Sequence, residues 1–96
     1  MCDIFWSDPS PKKGWHFNSE RGISCTFGED VLEQFKKSNH LDLICRAHEW
    51  KAKGYEFFAN RGLITIFSAK NYCGAQKNPG TVLEVDAELG CSLFTF

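Results

Sequence analysis

Leu41 to Trp50 reads LDLICRAHEW. Five of its first seven residues are apolar or small: Leu41, Leu43, Ile44, Cys45 and Ala47. That composition predicts a strand over 41–47. The run then delivers His48 and stops. A buried strand has no packing need to end on an imidazole. His48 is either a satisfied structural residue or a side chain presented for chemistry.

Two other apolar runs end in a comparable way. CDIFW, Cys2 to Trp6, is followed by Ser7-Asp8-Pro9, and LITIF, Leu63 to Phe67, by SA and then Lys70-Asn71-Tyr72-Cys73-Gly74. Each run ends in residues able to hold a proton, a metal or a phosphate. Ligands in sheet proteins sit beyond the carboxyl ends of strands, where the loops diverge. If the three ends lie side by side, they make one site. Each residue also has a plainer reading. Asp8 before Pro9 is a turn former, Arg21 in SERGIS a surface charge, and Tyr72 and Cys73 packing residues. No His-Glu-x-x-His or Gly-x-x-x-x-Gly-Lys pattern is present.

Around these runs the chain alternates short elements with turns. SDPSPKKG, Ser7 to Gly14, is a loop by its Pro, Ser and Gly content. Asn18 to Gly22 is also loop, and Ile23 to Phe27 a short strand. Gly28-Glu29-Asp30 opens the one clear helix. Val31, Leu32 and Phe35 share a face, with acids in its first turn and Lys36-Lys37 in its last. Ser38-Asn39 closes it. Tyr55–Ala59 and Leu63–Phe67 read as strands, SAKNYCGAQKNPG as loop, and Thr81–Val85 with Gly90–Phe96 as a hairpin. The fold class is mixed, α/β with strands dominant.

The 96 residues suit one small domain, and 43% hydrophobic residues argue against disorder. Aromatics reach 15%, more rings than so short a chain can hide. Eleven basic against twelve acidic residues give a net charge of -1, which points away from nucleic acid. No apolar run approaches membrane-span length and no signal peptide is visible, so an intracellular location, cytoplasm or nucleus, is expected. Five cysteines with no Cys-x-x-Cys pair predict free thiols, with Cys45 and Cys91 as small core residues.

The motifs WSDP (6–9), GW (14–15), RGIS-x-TFG (21–28), LDLICRAH (41–48), GYEFFA (54–59), TIFSA-x-NYCG (65–74) and EVDAELGCSLF (84–94) stand in order over nearly the whole chain. Together they resemble the C-terminal part of the catalytic subunit of phosphoprotein Ser/Thr phosphatases in the metallophosphoesterase superfamily, most closely the type 1 branch. The resemblance implies a single partial domain over 1–96. Its fold would be the C-terminal part of the metallophosphoesterase β-sandwich with flanking helices, incomplete without the N-terminal half. It implies hydrolysis of phosphoserine and phosphothreonine by water activated on two divalent metal ions (Mn, Fe or Zn).

By resemblance His48 matches a metal-binding histidine, Arg21 an arginine gripping the substrate phosphate, and Asp8 a carboxylate close to the substrate. Trp6 matches a groove wall, Tyr72 a tyrosine bordering the phosphate, and Cys73 the thiol that microcystin-type toxins modify. Asp42, Leu43, Phe57, Leu89, Cys91 and Leu93 match a channel for short hydrophobic docking motifs of regulatory subunits. The other metal-binding motifs of the family do not occur in these residues. The isolated chain is therefore expected to be inactive: a fragment of an enzyme or, alternatively, a catalytically dead remnant that binds regulatory subunits. Two departures stand out. Lys70 replaces an expected proline, and Gly90 a larger apolar residue of the docking channel.

Overall fold

The computed structural model describes residues 1–96. Its elements run α1 (Cys2–Trp6), β1 (Asp8–Pro9), β2 (Trp15–Phe17), β3 (Cys25–Phe27), α2 (Glu29–Asn39), β4 (Ile44–Arg46), β5 (Tyr55–Phe58), β6 (Leu63–Ile66), a 3-10 turn (Tyr72–Gly74), β7 (Thr81–Val85) and β8 (Cys91–Thr95). The strands form sheets ordered β1-β3-β2, β4-β6-β5 and β7-β8. The fold is mixed α and β, as the pattern predicts. Contacts divide the chain into two units, Met1–Ile44 with Phe57–Ile64, and Cys45–Glu56 with Thr65–Phe96.

In the first unit CDIFW is a five-residue helix with no buried residue, not a strand. Five apolar residues in a row do not fix a period, and Asp3 in the first turn with its carbonyl accepting from Ser7 N–H favours the helical solution. Asp8 and Pro9 then form the strand. Asp8 pairs parallel with Thr26 and Pro9 with Phe27. On the other side of β3, Trp15, His16 and Phe17 pair antiparallel with Phe27, Thr26 and Cys25. β2, Trp-His-Phe, is only three residues long, too short for its alternation to announce a strand. The Trp15–Phe27 ring contact, 6.0 Å between centroids, helps hold its register.

α2 begins where the sequence places it. Gly28 is its extended N-cap, Glu29 and Asp30 meet the positive end of the helix dipole, and Lys36 and Lys37 meet the other. His40 closes it in the left-handed conformation, its N–H reaching the carbonyls of Lys36 and Lys37. A glycine is required at 28, because a Cβ there would lie 2.5 Å from Lys12 O. The loop stays close because Gly28 N–H donates to Gly14 O and Gly14 N–H to Asp30 Oδ1. On the apolar face Leu32 is buried, but Phe35 remains 54% exposed.

In the second unit β7 and β8 form the expected hairpin, registered Thr81↔Thr95 through Val85↔Cys91. Gly80 and Phe96 extend it by a reciprocal pair of hydrogen bonds. Asp86 wraps the turn, its Oδ1 accepting from the N–H groups of Glu88 and Gly90. A Cβ at Gly90 would lie 2.5 Å from Asp86 Oδ2, so that carboxylate would have to shift to admit one. Cys45 and Cys91 are exposed rather than core residues: β4 is only three residues long, and both Cys45 and Cys91 fall on exposed positions of their strands. All five thiols are free, as expected. The buried apolar residues are Leu32, Leu63 and Ile64, whereas Phe5, Trp6, Trp15, Phe17, Phe94 and Phe96 are exposed. The surplus of rings is thus carried at the surface.

A candidate phosphate-binding cluster and the histidine turn

β1 is short, but its pairing with β3 gives Asp8 a fixed, buried position. Arg21 arrives from the loop between β2 and β3. That loop is fastened at its mouth, where Asn18 N–H donates to Ser24 O, and within, where Gly22 N–H donates to Asn18 O. Gly22 takes a positive φ of 68° that permits the tight return.

Arg21 and Asp8 form a two-point ion pair, Nε with Oδ2 and Nη2 with Oδ1, the latter 3.0 Å. Asn18 Nδ2 adds a 2.7 Å bond to Asp8 Oδ2. Arg21 also lies 5.8 Å from the Trp6 ring, a cation–π distance. The structure thus brings Trp6, Asp8 and Arg21 together. A planar guanidinium held this way is a pre-oriented donor for an oxyanion. Asp8 spends both oxygens on Arg21 and Asn18, so its visible role is to orient the arginine.

The second unit holds His48, Tyr72 and Cys73. His48 is exposed and has φ 71°, a left-handed residue directly after the strand and Ala47. The segment behind it is tied by charge. Glu49 accepts from Arg46 at 2.8 Å and from Lys51 at 2.9 Å, and Lys51 also reaches Glu56 at 3.0 Å. Burial acts to lower the Lys51 pKa, but the hydrogen bonds it donates to Glu49 and Glu56, with their charges, outweigh it and leave the ammonium above its ordinary value. Arg46 additionally donates to Thr65 Oγ1.

Tyr72 and Cys73 share the 3-10 turn, and both are exposed. The Tyr72 ring stands edge-on to Phe67 at 5.2 Å. Buried Asn78 braces this loop, accepting from Tyr72 N–H and donating to the carbonyls of Ala69 and Pro79. Lys70 is exposed in the same loop.

The docking residues divide between the units. Asp42, Leu43 and Phe57 belong to the first, and Arg61 stands 5.1 Å over the Phe57 ring. Leu89, Cys91 and Leu93 belong to the second, with Leu93 opposite Leu83 and Cys91 opposite Val85. Although Cys45 is exposed at the surface, partial desolvation by its neighbours, and then the nearby Cys91, push its thiol up from its ordinary pKa. Asn18 and Asn78, both 3% exposed, are the polar residues the pattern missed. The signal for Asn18 was present as a turn-forming asparagine in Asn-Ser-Glu-Arg-Gly.

Residues 2–51, just over half of the chain, match the calcineurin-like phosphoesterase family. The chain belongs to that family. A solved structure of a protein serine/threonine phosphatase from Saccharomyces cerevisiae, described as similar to human phosphatase PP5, matches with a TM-score of 0.83 and 33% identity. The match covers 95% of this chain and 31% of that one. This calcineurin-like phosphoesterase segment therefore spans about a third of the length of its structural relative. Phosphoesterases of this family use two metal ions, but the residues here do not fit that pair. No group of three or more His, Cys, Asp or Glu side chains is gathered, and one imidazole does not hold two cations.

Proposed function

We propose that the chain is the phosphate-gripping C-terminal portion of a metal-dependent protein Ser/Thr phosphatase, acting on phosphoserine and phosphothreonine in proteins. The observation that carries this reading is Arg21, aligned by its two-point pair with buried Asp8 beside Trp6. In this reading Arg21 binds the phosphate oxygens and Trp6 walls the apolar side of the substrate. The resemblance also implies roles for Tyr72, Cys73 and His48, which belong to the second unit. Activation of the attacking water belongs to metal ligands other than these residues, and no hydrolytic step is assigned to them.

The test is Arg21→Ala in a phosphatase carrying this segment. It should lower kcat/KM toward a phosphoserine peptide by roughly 100-fold or more, as expected for loss of a charged oxyanion donor. A loss under about threefold would sink the reading.

A second reading is a catalytically silent module that takes regulatory subunits at Asp42, Leu43, Phe57, Leu89, Cys91 and Leu93. The exposure of Phe57, Leu89 and Cys91 favours it. Fluorescence polarisation with a short hydrophobic docking peptide distinguishes it: saturable binding that Leu93→Ala removes supports it, and no binding ends it.

A further inference from the structure

Asn18 is a buried polar side chain in a loop, which requires a reason. It is 3% exposed, yet the loop around it is largely in water. Its bonds answer the question. Nδ2 donates to Asp8 Oδ2 at 2.7 Å, and Oδ1 accepts from the Arg21 main-chain N–H at 3.3 Å. Its own backbone is fixed at both groups, N–H to Ser24 O and O from Gly22 N–H.

We propose that Asn18 is a positioning residue for the phosphate grip: through Asp8 it sets the plane of the Arg21 guanidinium. The inference rests on the phosphate-binding reading of Arg21 given above. The terminal torsion of an aspartate is soft, so strand pairing alone places the Asp8 Cβ but not the plane of its carboxylate. The guanidinium is paired two-point to that carboxylate and turns with it. A third donor to the carboxylate, at Oδ2 and held on a rigid backbone, removes the freedom. Asn18 also holds the Arg21 main chain, so one amide controls both ends of the arginine. The shape requires an amide: a carboxylate lacks the donor for Asp8, and a hydroxyl reaches less far.

The test uses the 96-residue chain with inorganic phosphate as the probe. The Arg21 Nε–Hε signal is followed by NMR in the unmutated chain, Asn18→Ala, Asn18→Asp and Arg21→Ala. In the unmutated chain that signal should be sharp, slowly exchanging and displaced by phosphate. Both Asn18 variants should broaden it and weaken phosphate by roughly tenfold, the worth of one bond to a charged group. Asn18→Asp keeps the acceptor for Arg21 N–H, loses the donor to Asp8 and sets a second carboxylate against it. If it behaves as the unmutated chain, the control through Asp8 is overturned. If both Asn18 variants leave signal and affinity unchanged, Asn18 has no positioning role while Arg21 still binds phosphate. If Arg21→Ala binds phosphate as well as the unmutated chain, the phosphate reading itself fails and this inference falls with it. Should both Asn18 variants unfold, the Asn18 side-chain amide of the unmutated chain decides. Two separated, protected protons that shift in step with Arg21 Hε support the proposal, and free-amide shifts overturn it.

Discussion

Arg21 shows what a single charged residue needs before it is useful. A free arginine has about 2 kcal/mol of rotamer entropy to lose on binding an anion. Here the ion pair with Asp8 has already removed most of that freedom. The same logic at another residue is accessible to pH. Asp30 accepts from Gly14 N–H, and this bond, its largest influence, holds the carboxyl below the usual aspartate range. A lowered folded pKa means that the stabilisation is complete above the unfolded value, about 3.9, and is lost as pH falls through the folded value. Asp30→Asn should therefore flatten the acid limb of the stability profile. Urea midpoints taken across roughly pH 2 to 6 check this, and a variant profile parallel to the original would contradict it.

Among elements, α2 was legible because its signals are local. Acids, lysines and an apolar face repeat within a few residues, and its C-cap needs no distant partner. The strand over 41–47 was half legible: pairing exists only at Ile44–Arg46. Leu41 N–H instead goes back to Lys36 O, and the approach from the helix takes the first residues of the run. The β5 and β7 regions carry a constraint that local pattern does not display. Gly54 has φ 78°, donates to Lys51 O and accepts from Phe67 N–H. A Cβ there would strike Thr81 Oγ1, itself buried without a hydrogen-bond partner. Gly54→Ala should destabilise the chain by about 2–4 kcal/mol, summing the left-handed cost of alanine with overpacking. Chemical denaturation measures it, and a change below about 0.5 kcal/mol would show that the site relaxes.

For the whole molecule, the balance between buried and exposed apolar side chains is the governing fact. Leu32, Leu63 and Ile64 are fully enclosed, while rings such as Phe94 and Phe96 on the hairpin stay in water. No helix is long and apolar enough to cross a membrane. The donor side chains are as sparse as the core: no cluster of three or more is gathered. Calorimetric titration with Mn²⁺ should give no saturable two-site uptake below about millimolar, the weak limit for oxygen-ligand sites. p-Nitrophenyl phosphate should not be turned over by the chain alone. Two-site uptake with turnover would mean that these residues assemble a metal pair by themselves.

The sequence by itself determined the helix, the hairpin, the free thiols and, through its ordered motifs, the phosphatase kinship. These depend on local spacing or on residue identity, which a string of letters carries. Only the tertiary structure decided that CDIFW is a helix, that Cys45 and Cys91 face outward, and that Asn18 rather than its neighbours is buried. Burial and orientation are set by what lies across the fold. Asp8 and Arg21 are 13 residues apart, and only the pairing of β1 with β3 brings the carboxylate to the loop where the arginine waits.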